Sequence, residues 1–389
     1  VLAVAYREYA RDRPTFSVAD ESGLVLLGYI AFFDPPKDSA AAAIARLREA
    51  GVAVKILTGD NTLVTRKVCA DVGLAADRIL TGDELFRLPQ ENFARTVEEV
   101  TVFARLSPDQ KERIIRQLRQ AGHVVGYLGD GINDAPSLKS ADVGISVDSA
   151  VDVAKEAADI VLLEKNLLVL EDGIREGRRV FANIVKYIRM GASSNFGNMF
   201  SVLGASYLLP FLPMKPVQIL ANNLLYDFSQ TGIPTDSVDE ELVRKPRKWN
   251  IGNIRRFMLV IGPISSIFDY ATFGLMWFVF HCNTAGGAGE RLFQTGWFVE
   301  SLLTQTLIVH IIRTRRVPFV GSRASLPMTL TTLSVMAVAV WLPYSRFAPA
   351  LGFERLPVAY WFWIVGFLVV YGVLTHTVKT WFLRRYGDD

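Results

Sequence analysis

The second half of the chain carries six apolar stretches in series, and no other feature limits its fold so strongly. The first, MGASSNFGNMFSVLGASYLLP, starts at Met190 and holds no charge until past Pro210. The others run from Val217 to Thr235, Phe257 to Phe280, Phe293 to Ile312, Leu326 to Pro343 and Val358 to Val378. Each approaches the roughly 20 residues that a helix needs to cross a bilayer. A soluble protein can bury one or two such helices. Six in series predict an all-α transmembrane bundle in contact with membrane lipid. With 50% hydrophobic and 11% aromatic residues, the composition excludes a disordered chain.

Basic residues orient the bundle. Arg244, Lys245, Arg247, Lys248, Arg255 and Arg256 lie between the second and third stretches. Arg313, Arg315, Arg316 and Arg323 follow the fourth, and Arg384 and Arg385 follow the sixth. The opposite loops hold only Lys215, Arg291, Arg346 and Arg355. The first half and the C-terminus are therefore expected in the cytoplasm, as in a multi-pass protein of a plasma membrane. A net charge of +3 is too even to argue for a nucleic-acid partner. Cys69 and Cys282 fall on opposite sides of the expected membrane, so no disulfide is expected, nor a zinc site. The first residue is Val1, no signal peptide follows it, and the chain reads as a piece of a longer protein.

The first half alternates short apolar runs with amphipathic stretches from Leu24 to about Leu163. LVLLGYIAFF, VAVKIL, TVFAR, HVVGYL and ADVGIS read as strands. SAAAAIARLREA, closed by Gly51, reads as a helix, as do Asn61 to Val72 and PDQKERIIRQLRQAG. That alternation predicts a mostly parallel, Rossmann-like α/β sheet, with ligands bound beyond the carboxyl ends of its strands. The expected division is a connecting strand in 1–23, an α/β domain in 24–165, a basic stalk helix in 166–189 and a membrane domain in 190–389.

Three loops at those carboxyl ends carry the chemistry. Thr58, Gly59 and Asp60 follow one strand: a hydroxyl, and a residue whose backbone N–H can approach a phosphate oxygen closely. Lys111 opens a helix after a Ser-Pro turn and is a point charge suited to a phosphoryl group. In GYLGDGINDAPSLKSADVGISV, Asp130 and Asp134 stand four residues apart, flanked by Gly129, Gly131 and Asn133. Asp130 is placed to bind Mg²⁺, and Asp134 to orient waters or support the loop. Each alone is an ordinary turn or a solvated lysine. In this order, each after a strand, they predict a phosphoryl-transfer site.

These loops resemble the later motifs of the haloacid-dehalogenase superfamily as used in P-type ATPases. DPPK, Asp34 to Lys37, resembles that family's hinge between nucleotide and phosphorylation domains. In the apolar half, RRVFANIVKYIRMGASSNFGNMFSVL, NLLYDFSQTGIPTDSVD and QTLIVHIIRTRRVPF resemble the bacterial magnesium-transporting members most closely. The resemblance implies a haloacid-dehalogenase-like domain, ATP as substrate, catalytic Mg²⁺, an aspartyl-phosphate, and import of Mg²⁺ across the bacterial inner membrane. It also implies a portion not present here. The family's Asp-Lys-Thr-Gly-Thr nucleophile segment and its Thr-Gly-Glu-Ser segment do not occur in the sequence, so an N-terminal portion of the same pump is an expected partner. TGDE at Thr81 falls in the wrong domain for the second of these.

Polar groups inside a span are costly and mark a pathway. Asn195 and Asn198, three apart, share one helix face, and Asn223 and Asp227, four apart, share another. They match the ion-binding helix pair of the family. Gly232 and Pro234 can free backbone carbonyls as further ligands. Calcium pumps of the broader family carry a glutamate where this chain has Asn198. The less anionic site suits an ion that keeps part of its water, as Mg²⁺ does. From the residues alone, transport of a proton or a monovalent ion stays open, as does a non-catalytic, pump-derived ion-binding or regulatory protein. Asp269, Glu300 and His310 read as groups paired within the bundle or near an interface.

Overall fold

The computed structural model describes residues 2–9, 15–30, 36–164, 166–247 and 249–387. Asp34 and Pro35 of the expected hinge lie outside them. The chain divides into two compact units, Val1–Glu171 and Asp172–Asp389.

In the first unit, β1 (Leu2–Tyr6) pairs antiparallel with β2 (Val25–Ile30). Of the expected strand LVLLGYIAFF, Val25–Ile30 forms, but in a mostly exposed two-stranded ribbon, not in a parallel sheet, and Ala31 to Phe33 lie outside the described residues. Then follow α1 (Ala40–Glu49), β3 (Ile56–Leu57), α2 (Thr62–Asp71), β4 (Ile79–Thr81), α3 (Gly82–Arg87) and α4 (Gln90–Glu99). Next come β5 (Val102–Ala104), α5 (Pro108–Gln120), β6 (Gly126–Leu128), α6 (Ala135–Ser140), β7 (Val143–Val147), α7 (Asp152–Ala157) and β8 (Ile160–Leu162).

The parallel strands form two sheets of three, in the orders β3-β5-β4 and β6-β7-β8. β3 and β6 are edge strands, and only the last residues of VAVKIL and HVVGYL are paired. Side chains cap α2, α3 and α5 at their starts. Asn61 accepts from the Leu63 and Val64 N–H groups at 3.1 and 3.0 Å, and Ser107 and Gln110 close a capping box ahead of Pro108. Gly51 ends α1 with a φ of +74° that a side chain would strain. TGDE is another capping box, in which the Thr81 N–H donates to Glu84 at 2.8 Å. Cys69 and Cys282 are both free and buried.

α8 (Leu168–Leu208) runs unbroken for 41 residues across the expected stalk and first span. The second unit continues with α9 (Pro216–Gln230), α10 (Glu240–Val243), α11 (Ile251–Gly274), α12 (Ala288–Ile312), α13 (Leu326–Trp341), α14 (Ala348–Leu351) and α15 (Val358–Tyr386). Among the described residues, four helical segments are long and apolar enough to cross a membrane. They are Ile251–Val279, Ala288–Ile312, Leu326–Tyr344 and Val358–Tyr386. α9 has only 15 helical residues, followed by a tight turn at Ile233–Thr235.

α12 is the hub of the bundle: it packs against α9, α11, α13 and α15, and 94% of its most apolar window is buried. α15 is covered over only 22% of its own and turns Phe362, Val365, Val369 and Val373 outward. α8 and α11 cross closely at Gly197 and Gly262. A side chain on Gly197 would overlap Ser265 and the Gly262 carbonyl. Beyond the last turn of α9 lies Asp236, fully buried. It accepts from Lys186 of α8 at 3.0 Å, Arg313 at the end of α12 at 2.9 Å and the Ser325 N–H ahead of α13 at 3.1 Å.

Candidate functional site

Thr58, Gly59 and Asp60 lie directly beyond β3. The chain there is tied to the turn beyond β5: Leu106 N–H donates to the Thr58 carbonyl at 3.0 Å, and Arg105 N–H to that of Asp60 at 2.8 Å. Arg105 adopts a left-handed φ of 51° to do so. The Thr58 hydroxyl donates to the Asp60 carboxylate at 2.8 Å and accepts from the Asp60 N–H at 3.0 Å. Gly59 and Asp60 are exposed.

Beyond β6 the chain turns sharply. A side chain on Gly129 would meet the Asp134 Cβ at 2.6 Å, so only glycine fits. Asp134 folds back onto its own loop, accepting from the Gly131 N–H at 3.2 Å through Oδ2. Its Oδ1 accepts from Lys111 Nζ at 2.8 Å and from the Tyr127 hydroxyl at 2.7 Å. The Lys111 side chain is 12% exposed and that of Asp134 14%. Burial alone would raise the Asp134 carboxyl, but Lys111, Tyr127 and the Gly131 N–H together hold it below its ordinary range. Burial and the Asp134 carboxylate push the Tyr127 hydroxyl far above its own, so it stays a donor. Asp130 differs. Its side chain is exposed and has no hydrogen bond or ion pair among the described residues, while its carbonyl accepts from the Val151 N–H at 3.2 Å. Asn133 is also exposed.

Two neighbouring carboxylates are thus given different work: one is locked into the loop and one is left open. Of the expected residues, the structure joins Lys111 with Asp134, and Thr58 with Asp60. Tyr127 was not anticipated; its only sequence signal is an aromatic residue with a polar tip at the end of a strand.

In the second unit the expected ion ligands separate. Asn195 of α8 and Asn223 and Asp227 of α9 are exposed, with Asn223 and Asp227 on one face. Asn198 is half-buried, and its side-chain oxygen accepts from Gln305 of α12 at 3.2 Å. The same Gln305 amide donates to Asn222 at 3.3 Å and to Ser301 at 2.6 Å. The inward asparagine of the NN pair is therefore Asn222, which is 3% exposed. Gln305 also went unanticipated, although an amide inside an apolar run is itself a signal. Among the described residues no three His, Cys, Asp or Glu side chains gather. His310 pairs within the bundle, with Thr332 at 2.9 Å, and stacks on Phe319.

Residues 5–142 match the haloacid dehalogenase-like hydrolase family, and residues 211–381 match the family described as cation transporting ATPase, C-terminus. Over 387 residues and 100% of its length, the chain is 55% identical to the magnesium-transporting ATPase, P-type 1, of Escherichia coli K12. A Salmonella typhimurium LT2 protein of the same name is 52% identical over 390 residues. The calcium-transporting ATPase of Bacillus subtilis is 33% identical over 359 residues, 88% of this chain and 39% of that protein. The chain spans 43% of the length of the magnesium-transporting relatives. With a hydrolase-like first unit joined to the C-terminal region of cation-transporting ATPases, the chain belongs to the P-type ATPase family.

Proposed function

We propose that the chain is the C-terminal part of a pump that hydrolyses ATP through an aspartyl-phosphate and imports Mg²⁺ across the bacterial inner membrane. The observation that carries this reading is the Lys111–Asp134 pair beside an open Asp130 carboxylate. It supports a site in which Asp130 holds a catalytic Mg²⁺, while Asp134, held by three donors, fixes the loop. Such a metal neutralises phosphoryl oxygens. Thr58 and Gly59 offer a hydroxyl and an exposed backbone N–H toward the phosphoryl group, Asp60 holds the Thr58 hydroxyl, and Lys111 adds positive charge.

The nucleophile comes from a portion outside this sequence. The topology favours this: β3 and β6 are both open edges, and both lead into the site loops. A further parallel strand pairing with both edges would merge the two sheets and end beside Thr58 and Asp130.

For the membrane half we read six spans. The last turns of α8 and the segment from α9 to Thr235 add to the four helices above. The outward apolar faces of α13 and α15 are those of a protein solvated by lipid. Residues 24–165 serve as the phosphorylation domain and 166–189 as a stalk; the soluble part and the C-terminus lie in the cytoplasm. Asn195, Asn198, Asn223 and Asp227 bind the transported Mg²⁺; the exposure of Asn195, Asn223 and Asp227 leaves them available to it and to segments supplied from elsewhere. The test is Mg²⁺-stimulated ATP hydrolysis and Mg²⁺ uptake by the intact protein in lipid vesicles. Hydrolysis that ignores Mg²⁺ at the transport site, or responds only to another cation, would overturn the assignment of cargo.

A further inference from the structure

Two acidic side chains stand in the middle of the bundle with no role in the sites above. Asp269 of α11 is 2% exposed and Glu300 of α12 is 0% exposed. Asp269 accepts from the Ser201 hydroxyl of α8 at 2.6 Å and from the Trp297 indole N–H at 2.7 Å, so each of its oxygens has a neutral donor. Neither carboxyl oxygen of Glu300 receives a hydrogen bond from a donor group of the protein. The Thr304 hydroxyl donates instead to the main-chain carbonyls of Glu300 and Ser301, at 3.0 and 3.1 Å. Trp297, which donates to Asp269, stands one helix turn before Glu300 on α12, so the two acids flank the same contact between α11 and α12. No lysine, arginine or histidine pairs with either among the described residues. The titratable groups facing them from α15 are the Tyr360 and Tyr371 hydroxyls, with Tyr270 on α11 itself.

An isolated buried carboxylate is costly, and two side by side without a cation cost far more. A fully buried carboxyl that receives no donor and meets no cation is satisfied by keeping its own proton. A metal ion fits poorly: it needs several free oxygens, and both of those on Asp269 are already occupied by donors. The group that satisfies this pair is a single proton.

We propose that Asp269 and Glu300 form an intramembrane proton-binding site, whose proton is taken up and released in each transport cycle as a counter-ion to the imported cation. The proton enters from water on one side, is held on the pair, and leaves to water on the other; no covalent bond other than O–H forms or breaks. Ser201 links the pair to α8, so movement of that helix alters the donors around Asp269. The inference rests on the pump reading for its cycle, but not for the proton itself.

The test uses the intact protein in lipid vesicles loaded with a pH-sensitive dye, alongside infrared spectroscopy of the buried carboxyl. With ATP and Mg²⁺, protons should move against the cation. Glu300→Gln and Asp269→Asn should abolish that movement while Mg²⁺-stimulated hydrolysis continues. In the wild type, a protonated-carboxyl stretch should appear, shift in deuterium oxide and vanish in Glu300→Gln. Proton movement equal to wild type in both variants, or none in a wild type that hydrolyses ATP and imports Mg²⁺, overturns the proposal and leaves the pump intact. Where a variant does not reach the membrane, the wild-type infrared spectrum decides, and absence of the carboxyl band overturns the site. A protein that transports nothing contradicts the pump reading and the counter-ion role together, with the infrared band still deciding whether the proton is there.

Discussion

The Lys111 ammonium stands 2.8 Å from the Asp134 carboxylate, joining the first turn of α5 to the loop after β6. The bond spans 23 residues and brings the carboxyl ends of both parallel sheets to one place.

Lys111→Ala should lower the stability of the first unit by about 1.5–3 kcal/mol, the range for a hydrogen bond to a charged group. It should also remove measurable ATP hydrolysis from the intact protein. The pH dependence has a fixed sign. Because the Asp134 carboxyl is held below its ordinary range, its contribution is complete above about pH 4, the unfolded value, and is lost as pH falls through the folded one. Acid unfolding of the variant, followed by circular dichroism, should therefore begin at higher pH than in the wild type.

Asp130→Ala should separate chemistry from stability. An exposed carboxylate without a partner contributes little to folding, so the melting temperature should hold within about 0.5 kcal/mol equivalent. Steady-state ATP hydrolysis should vanish. Near-normal turnover would remove Asp130 from the site.

Tyr127→Phe tests the unanticipated member of the site. Losing a donor to a charged acceptor should cost about 1.5–3 kcal/mol and weaken the loop while leaving Asp130 in place. Hydrolysis should fall but persist, and differential scanning calorimetry reads the stability change.

Asp227→Asn should shift activation by Mg²⁺ to higher concentration with nucleotide binding unchanged. Gln305→Leu should instead loosen the bundle, because Asn198, Asn222 and Ser301 lose a shared donor. Mg²⁺ titration of ATP hydrolysis and detergent melting distinguish the two variants. An unaltered Mg²⁺ dependence in Asp227→Asn would exclude it as a ligand.

A flexible glycine linker inserted at Gly177, inside unbroken α8, should uncouple hydrolysis from cation uptake. Parallel assays of phosphate release and uptake give the ratio, and an unchanged ratio counts against a stalk that transmits motion.

The turns of the candidate site were legible because glycine, aspartate and capping residues act locally. Gly129 is required by a contact five residues away, and Asn61 caps α2, the helix that starts at the next residue. Strand extent was less legible. VAVKIL is six residues long and apolar but for Lys55, yet only Ile56 and Leu57 pair with β5. LVLLGYIAFF looks like a core strand, but its partner is β1, and hydropathy does not reveal partners. In the bundle, spacing placed Asn223 and Asp227 on one face correctly. It did not show that the buried face belongs to Asn222, because that depends on where α12 packs.

Asp236 sets an order of events during synthesis. Its ligand Lys186 precedes it by 50 residues, but Arg313 and the Ser325 N–H follow it by 77 and 89. While the ribosome is still making α11 and α12, this carboxylate has one cation and an unfinished coordination shell. The turn after α9, the end of α12 and the start of α13 can lock around this carboxylate only after Ser325 has emerged, so truncation before Arg313 leaves it with one of its two cations and truncation before Ser325 without its full set of donors.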